Sequence, residues 1–139
     1  MNDGIRKVPR WFAARWAGPA VAAARLGVRF ESVWIAAPPE LAGGLNGLDA
    51  PPGRIAGLVA LAGPFAETRT RGWSLQDLAR RSPGALSGVD VGLEGEIRTL
   101  FNAPKVWSGV NAIAGALQAR KIVGYCEARE ILGRMGALE

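Results

Sequence analysis

The chain has 139 residues, 49% of them apolar and 21% charged, which fits one packed domain and excludes the disordered class. Its formal charge is +5, and the excess lies in residues 1–30, where Arg6, Lys7, Arg10, Arg15, Arg25 and Arg29 face Asp3 alone. There is no histidine and one cysteine, Cys126, so a histidine base, a Ser-His-Asp triad, an internal disulfide and a thiol-rich metal cluster are all excluded.

In chain order, the first element is a helix over 9–26. Pro9 suits a first helical turn, "WFAARW" and "AVAAARL" are rich in helix formers, and Gly27 reads as a stop. Gly18-Pro19 predicts a kink or a break into two short helices. "VRFESVWIA" (28–36) reads as a strand, with Val28, Phe30 and Trp34 sharing one parity. Residues 38–53 lie between two Pro-Pro pairs and read as loop, with a short helical turn around Glu40–Ala42. "RIAGLVALAG" (54–63) is compatible with a buried strand or a short helix. "FAETRTR" (65–71) reads as a strand, with Gly63-Pro64 as a turn between the two.

From residue 73 the signals are helical. Ser74 and Asp77 predict a capping box for "LQDLARR", and Pro83-Gly84 closes that helix. A second helix is expected over 91–101 with Asp90 as its cap. A third starts near Pro104, with Val106, Val110, Ile113 and Leu117 as its apolar stripe and Ser108, Ala112 and Ala116 as a row of small residues. A fourth spans 121–135, with Tyr125, Ala128, Leu132 and Met135 on one face. The fold class is therefore α+β and predominantly helical. A basic helical arm (1–27) precedes a single compact domain (28–139), whose 28–72 part holds two or three short strands and whose 73–139 part holds three or four helices.

The residues offer little for catalysis. Cys126 lies in a helical stretch without a base, and reads as a structural thiol. "GVDVGLEGE" (88–96) matches neither phosphate-loop nor dinucleotide spacing. Asp90, Glu94 and Glu96 form an acidic cluster, read as helix-start charge paired with Arg98 rather than as a metal site. No catalytic residue, cofactor or metal is expected. No apolar run is long enough for a membrane-spanning helix, and the short run broken by Gly18-Pro19 argues against a secretory signal. A cytoplasmic or particle-bound location is expected.

The dense stretch "RKVPRWFAARW" (6–16) is the expected partner site: Arg6, Lys7, Arg10, Trp11, Phe12, Arg15 and Trp16. Trp and Arg dominate interface hot spots, and an exposed cluster of three aromatics would be an apolar patch seeking cover. The expected function is a non-enzymatic structural or assembly subunit of a larger complex, in a bacterial or phage particle for example. Its partners are protein subunits, in a homo- or hetero-oligomer. The alternative is a nucleic-acid-binding accessory protein, using either the arm or a helix-turn-helix-like segment at 74–101.

Overall fold

A computed structural model describes residues 8–37, 41–49, 51 and 53–138. It is mostly helical, with a small antiparallel sheet: α1 (Arg10–Arg25), β1 (Ser32–Ala36), β2 (Ala42–Asn46), α2 (Gly53–Arg71), α3 (Leu75–Arg81), α4 (Glu94–Asn102), α5 (Pro104–Arg120), β3 (Ile122–Gly124) and α6 (Tyr125–Met135). A single 3-10 turn, Val91–Leu93, leads into α4. The expected α+β class is the observed one.

Helix α1 sits at the centre of the molecule, packed chiefly against α2 and α5. Its composition explains this. Ala13, Ala14, Ala17, Ala20, Ala22 and Ala23 are buried, and such small side chains let neighbouring backbones close in on several sides. Phe12, Val21, Val33, Phe101, Ile113 and Leu132 belong to the same core. Within the expected arm (1–27), the described helix α1 therefore packs into the core of the expected body (28–139).

Two corrections concern Gly-Pro pairs. Gly18-Pro19 does not break α1, which runs as one helix through Pro19. Residues 54–63 take the helical one of their two expected states, and the strand expected at 65–71 with a turn at Gly63-Pro64 is not observed. Residues 54–71 form most of α2, which carries Pro64 in its interior. The reason is the crossing of the two helices. "AGP" occurs at 17–19 and again at 62–64, and the two copies face each other. A Cβ built on Gly18 would lie 2.5 Å from the carbonyl oxygen of Ala62, and one on Gly63 would lie 2.9 Å from that of Arg15. Pro19 has no N–H to offer the Arg15 carbonyl four residues back, and that carbonyl meets Gly63 instead. Tertiary contact thus outweighs the local cost of proline and glycine in a helix.

The sheet has the order β2-β1-β3, antiparallel throughout. Its register places Val33 opposite Leu45 and Val123, and Trp34 opposite Gly44. The face expected inside is reversed within β1: Val33 and Ile35 are buried, whereas Trp34 lies half-buried on the other side. Residues 28–31 precede the strand, although Val28 and Phe30 are buried. Strand β2 replaces the expected loop. The helical turn expected at 40–42 lies partly outside the described residues, and Ala42 itself opens the strand. Two adjacent glycines are poor strand formers, yet both are needed here. A side chain on Gly43 would collide with the indole of Trp16, and one on Gly44 would come within 2.7 Å of Trp34 Nε1. Strand β2 is therefore held between two tryptophans, one on each face.

The C-terminal half follows its pattern closely. Pro104 opens α5, and Val106, Val110, Ile113 and Leu117 are all buried. The close approach to α6 is made by Gly109, whose added Cβ would meet Leu132 at 2.6 Å, whereas Ser108 in the expected small-residue row is exposed. Lys121 ends α5 in the left-handed region, with φ at 72°. The next three residues form β3 rather than the first turn of α6. Tyr125, Ala128 and Leu132 face the core, but Met135 is exposed.

Candidate interaction surface

The predicted partner residues do not form one outward face. Arg6 and Lys7 lie outside the described residues. Arg10 reaches α5, donating to Gln118 Oε1 and to the Asn111 carbonyl, each at 2.9 Å, and Gln118 in turn donates to the Val8 carbonyl. Phe12 is buried, with the Trp11 ring edge-on to it at 5.7 Å. Arg15 donates to Glu67 Oε1 at 2.6 Å. Trp16 covers Gly43, and its Nε1 is buried without a hydrogen-bond partner among the described residues. The cations of α1 stay out of the core by running along its flanks, where Arg10 and Arg15 reach partners on α5 and α2.

Glu67 is the one buried carboxylate of this set, at 2% exposure. It stands on α2 between Arg15 and Arg71, whose Nε lies 3.4 Å from Oε2 as an ion pair but is not aligned for a hydrogen bond. An isolated charge at such a depth would cost several kcal/mol. The two arginines make the position tolerable and tie α1 to the C-terminal end of α2.

From Arg71 a stack runs outward. Its guanidinium lies 3.5 Å from the centroid of Trp11 and 4.2 Å from that of Trp73, and Arg81 also lies over Trp73, at 4.7 Å. Cation and ring alternate in the order Trp11, Arg71, Trp73, Arg81. Beside this stack, Arg69 lies over Trp107 at 4.2 Å and donates to the Phe101 carbonyl at 2.9 Å. Between α2, α3 and α4 lies a cleft of about 390 Å³, lined by Phe65, Arg69, Trp73, Arg98 and Asn102 among others. Arg69 and Arg81 have no carboxylate within ion-pair distance among the described residues, while Arg80 and Arg98 pair with Asp77 and Glu94 on their own helices. Only Trp11 of this surface was among the predicted partner residues. The "RTRGW" stretch at 69–73, followed by Arg81, was the available signal for the rest. It was hidden by reading 65–71 as a strand, which separates Arg71 from Trp11.

The acidic cluster is also dispersed. Asp90 accepts from the Gly92 N–H at 2.9 Å, Glu94 pairs with Arg98, and Glu96 pairs with Arg54. No three metal-ligating side chains converge among the described residues. In the segment expected to resemble a helix-turn-helix, α3 and α4 are separated by residues 82–93, and the first turn of α4 presents Glu94 and Glu96. Among the described residues, no helix is long and apolar enough to cross a membrane. The chain matches no protein-family model, no curated protein and no solved structure.

Proposed function

We propose that this chain is a non-enzymatic binding subunit that joins a larger assembly by seating an acidic, partly apolar protein surface on the Trp11–Arg71–Trp73–Arg81 stack. The observation that carries this reading is the stack itself. Indoles fix the guanidinium groups in place, so little side-chain entropy remains to be lost when a carboxylate docks. Trp and Arg together are the composition of interface hot spots. A protein partner is preferred over nucleic acid for two reasons. The rings of Trp73 and Trp107 are already covered by arginines, which leaves less room for a base to stack. The charge around the stack is also partly neutralised, with Arg80 and Arg98 paired to Asp77 and Glu94, which leaves few free cations for a run of phosphates and suits an apolar protein surface with an occasional carboxylate. The lack of any histidine supports a role without acid–base catalysis.

Fluorescence anisotropy with a labelled Glu- and Leu-rich peptide, and with a single-stranded oligonucleotide of equal charge, tests the proposal. The peptide is expected to bind and to remain bound at moderate salt. Trp73→Ala is expected to cost roughly 2 kcal/mol of binding with an unchanged circular dichroism spectrum. Tighter binding of the oligonucleotide, lost steeply with salt, favours the nucleic-acid reading and overturns this one. Peptide affinity indifferent to Trp73→Ala overturns the placement of the surface.

A further inference from the structure

The ion-pair group at the α1–α2 junction does not balance. Glu67 carries one negative charge, while Arg15 and Arg71 carry one positive charge each. The arginine side chains are only 28% and 20% exposed, so the excess positive charge is largely withdrawn from water. Arg71 is compensated by two indole faces at 3.5 and 4.2 Å, where a desolvated guanidinium is well accommodated. Arg15 has no such cover. A guanidinium has five N–H donors, and a single hydrogen bond, to Glu67 Oε1, accounts for Arg15 among the described residues.

Arg15 also lines a hollow of about 450 Å³, within the range of small-molecule sites. Its floor is the α1–α2 crossing, at Pro19, Val59 and Pro64. One wall is the β2 segment, through Leu45 and Leu48, and the other is the turn that ends in Val89. Apart from Arg15, Trp16 and Ser87, every residue of the lining is aliphatic, proline or glycine.

We infer that this hollow binds a monocarboxylate with an apolar body, such as a medium-chain fatty acid, with the carboxylate on Arg15 and the chain against Pro19, Leu45, Leu48, Val59 and Val89. One added negative charge balances the Arg15–Glu67–Arg71 group. A neutral apolar ligand leaves the excess in place, and a phosphate dianion exceeds it while offering the aliphatic walls nothing. The inference differs from the docking surface in its ligand, a small monocarboxylate seated at Arg15, although Arg71 belongs to both groups.

Titration calorimetry and amide NMR with octanoate and with octanamide test it. Octanoate is expected to bind at least about tenfold more tightly than octanamide, the worth of one charge-assisted hydrogen bond. Its shift changes should concentrate at Leu45, Leu48, Val59 and Val89. Arg15→Gln is a poor probe, because it removes the nearer cation from buried Glu67. Ala60→Trp is better. Ala60 is exposed and lines the hollow, so the indole fills the site without entering the core. It is expected to abolish octanoate binding while the Tm stays near that of the unaltered protein. Equal affinity for acid and amide, binding unaffected by Ala60→Trp, or no binding at millimolar octanoate overturns the inference.

Discussion

The α1–α2 crossing and the apolar stripes of α5 and α6 fill the core by opposite means. In the C-terminal half, large aliphatic side chains at helical spacing fill the space between elements: Val110, Ile113 and Leu117 on α5, and Leu132 on α6. At the crossing there is almost no side chain to interlock. Gly18 lies against the Ala62 carbonyl and Gly63 against that of Arg15, and the helices are held by backbone proximity and by the Arg15–Glu67 pair. The first kind of packing depends on what the side chains supply, the second on what they omit. Removing atoms should therefore damage the C-terminal half, and adding them should damage the crossing.

The largest expected effect is a deletion. Leu117→Ala takes three heavy atoms from a fully buried position, and is expected to cost roughly 2–5 kcal/mol in urea unfolding. A loss below about 1 kcal/mol would mean that the stripe collapses around the cavity, and that the C-terminal half is packed more loosely than its geometry shows.

The next effect turns on sign. Gly→Ala in the middle of a helix normally stabilises by about 0.5–1 kcal/mol, because the glycine has more backbone freedom to lose on folding. Gly133 on α6 has nothing within 4 Å of an added Cβ, and Gly133→Ala is expected to show that gain. Gly18→Ala is the same chemical change on α1, yet its Cβ would lie 2.5 Å from the Ala62 carbonyl oxygen and 2.9 Å from the Ala66 Cβ. It is expected to lose about 1–3 kcal/mol by overpacking. Two chemical-denaturation curves decide the matter. A stabilising Gly18→Ala would show that the helices do not touch there in solution.

The same contrast explains what could be read from the sequence. Periodicity marks positions that are filled, so the Val106–Leu117 stripe, the Ser74–Asp77 cap and the Pro104 helix start were legible. Close approach leaves no periodic mark. Gly18-Pro19 and Gly63-Pro64 look like local breaks, and only their shared "AGP" hints that they meet each other. Gly43-Gly44 reads as loop because the two tryptophans that require it are at Trp16 and Trp34, remote in sequence. The surroundings of the expected partner residues were hidden for a related reason. The density at 6–16 reads as surface from the sequence, whereas Phe12 and the alanines around it are buried, and Arg10 and Arg15 reach across to Gln118 and Glu67. The stack on Trp73 was illegible because it joins α1, α2 and α3, and exists only once α2 runs unbroken to Arg71.

Helix α3 belongs to neither packing regime, and its cap gives the smallest and most specific effect. Ser74 Oγ accepts from the Asp77 N–H at 3.0 Å, and Asp77 Oδ2 accepts from the Ser74 N–H at 2.9 Å. The carboxyl of Asp77 is held below the usual carboxylate range, chiefly by the Ser74 backbone N–H, then by the Ser74 side chain, with Arg80 contributing less. Since the folded state lowers this pKa, the ionised form stabilises folding at neutral pH. That contribution is complete above the unfolded value of about 4. It fades as the pH falls from there through the lower folded value, where both states become protonated. The difference in Tm between the unaltered protein and Asp77→Asn is therefore expected to be positive and level near neutrality, and to shrink below about pH 4. The penalties of Leu117→Ala and Gly18→Ala, which involve no titrating group, should not change over the same interval. A difference for Asp77→Asn that widens on acidification would show that the carboxyl is destabilised by folding, and that the cap does not hold it.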